Sequence, residues 1–361
     1  MVPTLLDSTS PHQVIRALIH TRNLDEEMAQ RPNQRAALVA RFHQLSRRAW
    51  SDPGERERCR LEAQRCLYEL NRLRLYWGDD PNRYANEESL VLAELRMTLE
   101  SHWANWLARR GTPGEVDTRD AAASLRLWAE RDSAAAGSPM DRYFADDLQL
   151  GGYRRLLEIG SLAGLVEASQ LARAIGGAPN GVQAALARIF VEEYGAGRLA
   201  KKHSSYFARM LEEQELSSRP EAYFEEAPWE ILATINHGFY LAENKRHYLR
   251  FCGAYTYAEL ATPAAYWAYA QAARRLGVSN GDDDYWSLHL REDGRHGRWM
   301  LEDVALPLLT RFPERRHEVL QGYLEQRVLA GLVRRALFEA CRKADGVAHE
   351  YGSSPEAVMS Y

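Results

Sequence analysis

Apolar residues recur at intervals of three and four along almost the whole chain, and no stretch alternates convincingly between apolar and polar. A period near 3.6 throughout leaves one way to build a core, helix face against helix face. Ala, Leu, Arg and Glu, all good helix formers, fill the long stretches. Turn residues interrupt them at SDPGE (51–55), YWGDDPNRY (76–84), RRGTPGE (109–115), AAAGSPM (134–140), GGAPNG (176–181) and VSNGDDD (278–284). No repeat of solenoid length is present. The expected fold class is all-α.

The 361 residues suffice for one large domain or two ordinary ones. AAAGSPM is the best boundary candidate, giving an N-terminal helical region over 1–135, expected to pack or dimerise, and a second domain over 140–361. Within the first, Trp103 and Trp106 share a helix face and read either as core or as a dimer contact. The net charge of −4 provides no global positive field, so nucleic acid is not an expected partner. Without an apolar run of membrane-spanning length or a signal-like N-terminus, neither membrane nor export is expected, and the cytoplasm is the default. Cys59, Cys66, Cys252 and Cys341 form no C-x-x-C pair and are expected to be free thiols, the first two half-buried on one helix.

The chemistry-bearing residues come after position 150. In HLREDGRH (289–296), a helical advance of about 100° per residue puts His289, Asp293 and His296 on one face, with Glu292 towards the flank. Two imidazoles and a carboxylate suit a first-row metal such as iron, although Arg291, Arg295 and Arg298 also fit a solvated face. Upstream, Glu192 and Glu193 precede His203. Ten residues of straight helix would hold Glu193 and His203 about 15 Å apart, but Gly195 and Gly197 lie between them, where a helix can break and let them converge. Glu259 sits among Tyr255, Tyr257, Leu260 and Tyr266, and a buried acid requires a cation, a proton or a metal. Glu167 lies in a mostly apolar helix with Glu158 nine residues earlier and half a turn round, so only one of them can face a shared site. Four helical segments thus offer Glu167; Glu193 and His203; Glu259; and His289, Asp293 and His296. Carboxylates and histidines from several helices suit a dinuclear iron site in a helical bundle. The paired Glu-x-x-His motifs of ferritin-like proteins are not found.

The order E-x9-H, isolated Glu, H-x3-D-x2-H resembles the haem-oxygenase-like diiron oxidases. So does the surrounding text, LARAIGGAPNGVQAALARIFVEEYGAGRLAKKH (171–203) and RRLGVSNGDDDYWSLHLREDGRH (274–296), over roughly residues 150–330. The resemblance implies a haem-oxygenase-like helical bundle with an N-terminal helical extension. It implies Glu193, His203, Glu259, His289, Asp293 and His296 as ligands of two irons, with Glu167 as an additional or bridging carboxylate. It further implies O2 as co-substrate, an external electron donor and a homodimer. The spacings are nearest to an N-oxygenating branch acting on guanidine nitrogens, which implies N-oxygenation of an amine or guanidine of an amino-acid-like substrate in specialised metabolism. Desaturation or C–C cleavage of an amino or fatty acid, and a non-catalytic helical binding protein, are the competing expectations.

Two departures stand out. Ala200 replaces an acid that the branch carries three residues before its middle histidine, and the sequence ends at Tyr361 without the C-terminal cupin domain of that branch, which speaks against rearrangement to a nitrosourea. Elsewhere, His237 reads as packing or pocket lining and His247 as solvated, while Lys201 and Lys202 read as surface lysines or contacts for a substrate carboxylate.

Overall fold

The computed structural model describes residues 10–346, apart from 52–55, 76, 79, 112–119, 135–136, 178–179, 280 and 282–283. Much of the turn-rich punctuation read from the sequence, including part of AAAGSPM, therefore lies outside the described residues. Among the described residues there is no strand, and the all-α expectation holds.

The N-terminal part consists of α1 (Pro11–Ile19), α2 (Leu24–Ala29), α3 (Pro32–Trp50), α4 (Arg56–Leu75), α5 (Leu90–Arg110) and α6 (Ala121–Ser133). A short α7 (Pro139–Arg142) leads to α8 (Leu150–Gly164), α9 (Ser169–Ala174), α10 (Asn180–Glu193) and α11 (His203–Glu213). The remainder is α12 (Trp229–Glu243), α13 (Tyr248–Arg275), α14 (Tyr285–Trp299), α15 (Leu306–Arg311) and α16 (Arg316–Ala344). Several starts are set by local chemistry. Ser89, Asp120 and Asp284 accept the orphan backbone N–H groups that open α5, α6 and α14, and Pro11, Pro32 and Pro139 occupy first-turn positions.

The long helices α13 and α16 form the spine of the second half. A Cβ at Gly253 would overlap the Val319 carbonyl, and one at Gly322 would overlap the Arg250 carbonyl, so the two backbones touch where glycines face them. The N-terminal helices join this spine through an aromatic knot. The Trp50 and Trp106 rings lie 4.8 Å apart, and Trp229 of α12 lies 5.6 Å and 6.2 Å from them. Trp103 and Trp106 are thus core residues within one chain, which decides between the two readings of that pair. All four cysteines are free and buried, Cys59 and Cys66 more deeply than the half-buried thiols the sequence implied. No helix among the described residues is long and apolar enough to cross a membrane.

Candidate metal centre

Three local breaks in helical regularity bring distant residues to one place. The first follows α10. Gly195, Ala196 and Gly197 take left-handed φ of 59°, 51° and 78°, and a Cβ at Gly195 would collide with the backbone of Lys201 and Lys202. The chain folds back on itself, α11 starts at His203, and His203 Nδ1 comes to rest 3.0 Å from Glu193 Oε2. The second is Pro263 inside α13, which removes the N–H that would bond the Glu259 carbonyl. Gly297 of α14 nests there, since a Cβ on it would lie 2.9 Å from Leu260 Cδ2 and 3.1 Å from the Glu259 oxygen. Close approach of α14 to α13 then sets His296 Nδ1 3.4 Å from Glu259 Oε2. The third is a π turn over Met300–Ala305, which widens the helix immediately beyond His296 and Trp299.

The histidines share one pattern. One nitrogen of each meets a carboxylate at hydrogen-bonding distance: His203 Nε2 is 3.1 Å from Glu292, His289 Nδ1 is 3.0 Å from Asp293, and His296 Nε2 is 2.8 Å from Glu192. The other nitrogen of each, His203 Nδ1, His289 Nε2 and His296 Nδ1, is buried and makes no hydrogen bond. These three point at carboxylates nonetheless: Glu193 at 3.0 Å, Glu167 at 3.7 Å, and Glu193 and Glu259 both at 3.4 Å. Glu167 Oε1 is also buried without a partner, while its Oε2 accepts from the Tyr285 hydroxyl at 2.7 Å. A neutral imidazole has one N–H and one lone pair. With each N–H assigned to its carboxylate, three lone pairs and several carboxylate oxygens converge. Buried polar atoms left unpaired in this way are rare, and this donor set fits a metal.

Charge supports the same fit. Glu167, Glu193, Glu259 and Asp293 gather in a mostly buried space, and their combined charge is what two divalent cations would balance. When protons are the available cations, the carboxylates draw them onto the imidazoles. Burial alone would lower the His203 pKa, but Glu193 and Glu292 outweigh it and push it up to about 9. For His296, burial is outweighed by Glu193 and Glu259, and the pKa rises to about 11. His289 is raised well above the usual range, its burial overcome by Asp293 and Glu167. Glu193 moves the opposite way, held low by His203 and His296 against the effect of burial. Burial raises Glu259, and His296 does not offset it with Asp293 and Glu193 close by.

All seven residues singled out in the sequence, Glu167, Glu193, His203, Glu259, His289, Asp293 and His296, meet here. Potential ligand atoms of Glu167, His203 and His289 lie within 4.8 Å of one another, as do those of Glu193, Glu259 and His296. A further group, Glu192, Glu292 and His296, meets the same limit on the outer side. Glu192 was read only as the neighbour of Glu193, and Glu292 as a flanking residue. Nothing in the sequence assigns them partners, because these depend on how α10, α11 and α14 approach one another.

Two other expectations, a helix shared by Glu158 and Glu167 and a solvated His247, need correcting. Glu158 and Glu167 do not share a helix, because α8 ends at Gly164 and the chain turns through Ala168 at φ 60°. Glu158 pairs with Arg155 at 2.9 Å and leaves the site to Glu167. His247 is half-buried against the Tyr240 ring at 4.7 Å rather than solvated, and burial with Arg250 and Arg246 nearby lowers its pKa to about 4. His237 is buried between Gln326 and Glu325, 3.0 Å and 3.2 Å away. Lys201 is exposed, Lys202 lies over the Tyr194 ring at 4.5 Å, and Ala200 is exposed on the same loop.

Residues 154–330 match the family described as iron-containing redox enzymes, and that range holds every residue of the cluster. The chain carries an iron-containing redox enzyme domain. The domain has the all-α, haem-oxygenase-like fold, and the family it matches is one of iron-containing redox enzymes. Over 166 residues the chain is 29% identical to the nitrosourea synthase of Streptomyces achromogenes subsp. streptozoticus, a match that takes in 46% of this chain and 35% of that protein.

Proposed function

We propose that the domain is an O2-dependent, non-haem diiron oxidase that oxygenates an amine or guanidine nitrogen of an amino-acid-like substrate, with electrons from an external donor. The observation that carries the reading is the set of three buried imidazole nitrogens without hydrogen-bond partners, each facing an acidic side chain of the same cluster. Two irons would be held by Glu167, Glu193, His203, Glu259, His289, Asp293 and His296; the two oxygens of Glu193 face different histidines. The chemistry that bound iron supplies is reductive activation of O2 and transfer of oxygen to the substrate. Nitrogen is preferred as its target because the similar Streptomyces protein is named for a nitrosourea, a product oxidised at nitrogen.

The residues around the cluster have definite tasks. Tyr285 fixes the orientation of Glu167 through its hydroxyl, and the rings of Tyr285 and Tyr266 stand 4.4 Å and 5.2 Å from the His289 ring, walling it from water. With the acids balanced by metal, a dry enclosure disfavours the charged form of a bound amine or guanidine, and its nitrogen must lose its proton before its lone pair can react. The test is anaerobic loading with Fe(II), an iron assay, and exposure to 18O2 with arginine-like and lysine-like amino acids. About two irons per chain and label on the substrate nitrogen are expected. An unlabelled alkene or a cleaved carbon chain would transfer the reading to oxidative C–H or C–C chemistry. Trace iron, unchanged in His289→Ala, would refute a metal oxidase altogether.

A further inference from the structure

We infer that Glu192 and Glu292 are positioning residues that hold His296 and His203 with one nitrogen turned into the metal centre. The inference rests on the proposed metal-binding role of the inner residues and assigns the two outer carboxylates a task of their own. Glu192 and Glu193 are adjacent at the end of α10 and bracket a single imidazole. Glu193 Oε1 lies 3.4 Å from His296 Nδ1, and Glu192 Oε2 lies 2.8 Å from His296 Nε2. Glu292 and Asp293 are adjacent on α14 and divide similarly between two imidazoles, Glu292 on His203 Nε2 at 3.1 Å and Asp293 on His289 Nδ1 at 3.0 Å.

The competing assignment makes Glu192, Glu292 and His296 a metal site themselves, since their ligand atoms lie within 4.8 Å. Two observations weigh against it. A neutral imidazole has one lone pair, and that of His296 is claimed on its buried side, where Nδ1 faces Glu193 and Glu259 and has no hydrogen bond. The outer nitrogen is then an N–H donor, and 2.8 Å is an ordinary donor–acceptor distance for it. Glu192 is also already neutralised by Arg295, 2.7 Å away, and the Arg295 guanidinium lies 5.4 Å from the Trp299 ring. A carboxylate accepting the far N–H of a ligating histidine fixes its tautomer and ring angle and makes it more basic.

The experiment is an anaerobic titration with Co(II), followed by visible absorption, on the wild type, Glu192→Ala, Glu292→Ala and the two Gln variants. The Ala variants are expected to bind as many Co(II) ions per chain as the wild type, with the same bands, but on the order of 10- to 100-fold more weakly. The Gln variants are expected to fall between, because an amide oxygen still accepts the N–H. They also carry the test if circular dichroism shows an Ala variant to be unfolded. One Co(II) fewer per chain in Glu192→Ala or Glu292→Ala would make that residue a ligand, and unchanged affinity in all variants would make both bystanders. Either result overturns this inference while leaving the metal centre intact. A wild type that binds no Co(II) overturns the metal reading and takes this inference with it.

Discussion

His296 has more acidic neighbours than any other residue of the centre, with Glu193 and Glu259 on one nitrogen and Glu192 on the other. Its replacement by Ala leaves two buried carboxylates without their shared partner. Removing one member of a buried charged group costs about 3–5 kcal/mol, so metal-free His296→Ala is expected to melt well below the metal-free wild type in a thermal scan and to retain less iron. One buried acid lies outside the candidate metal centre. Glu100 is buried in α5, and burial, only partly countered by Arg96 and Arg246, raises its pKa to about 7. The folded protein therefore binds this proton more tightly than the unfolded chain. That contribution is fully present below pH 4.5 and fades as the pH rises through about 7. Glu100→Gln is expected to flatten the pH dependence of the melting temperature and to gain on the order of 2–3 kcal/mol at pH 8 relative to the wild type. An unchanged difference between pH 5 and pH 8 would show that Glu100 is not a titrating group in this window. At this scale the sequence was informative where a single helix sets the geometry. The common face of His289, Asp293 and His296 follows from the helical repeat alone, whereas the contacts of Glu192 and Glu292 require three helices to meet.

Among the elements, the loop from Gly195 to Lys202 has the sharpest sequence requirement. Gly195 combines a φ of 59° with a space that Lys201 and Lys202 close off, so Gly195→Ala meets both backbone strain and overlap. It is expected to destabilise by at least about 1–3 kcal/mol and, because the loop sets the 3.0 Å approach of His203 to Glu193, to lose iron as well. Gly294 is the internal control. It lies exposed inside α14 with nothing near a new Cβ, so Gly294→Ala should stabilise by about 0.5–1 kcal/mol without loss of iron. Chemical denaturation and an iron assay on both variants separate the two effects. The contrast also explains which breaks were legible. The glycine pair announced the turn after α10. The turn after α8 pivots on Ala168 at φ 60°, a residue whose type gives no sign of a turn, so Glu158 and Glu167 looked like members of one helix.

For the whole molecule, helical periodicity was enough to give the fold class, but not how the N-terminal helices meet the redox domain, since that depends on side chains far apart in sequence. Trp229 stands on α12, inside the matched range, yet its ring packs on Trp50 and Trp106 and its indole N–H donates to Glu57 at 2.6 Å. Arg60 lies over all three rings at 5.0–5.5 Å. About two turns along α12, buried Asn236 donates to the carbonyl and side chain of Gln64 and accepts from Asn71. Residues 140–361 without the N-terminal helices would expose this apolar face and strip Asn236 of its partners, leaving polar groups unpaired on a hydrophobic surface. The two parts are therefore expected to unfold together. Trp229→Ala, which removes the ring at the centre of the knot, should cost about 3–5 kcal/mol and lower one common transition. Far-UV circular dichroism and loss of bound metal are expected to follow the same denaturation curve in wild type and variant. A variant in which metal loss keeps its wild-type midpoint while part of the helical signal melts early would show that the N-terminal helices are a separately folding unit.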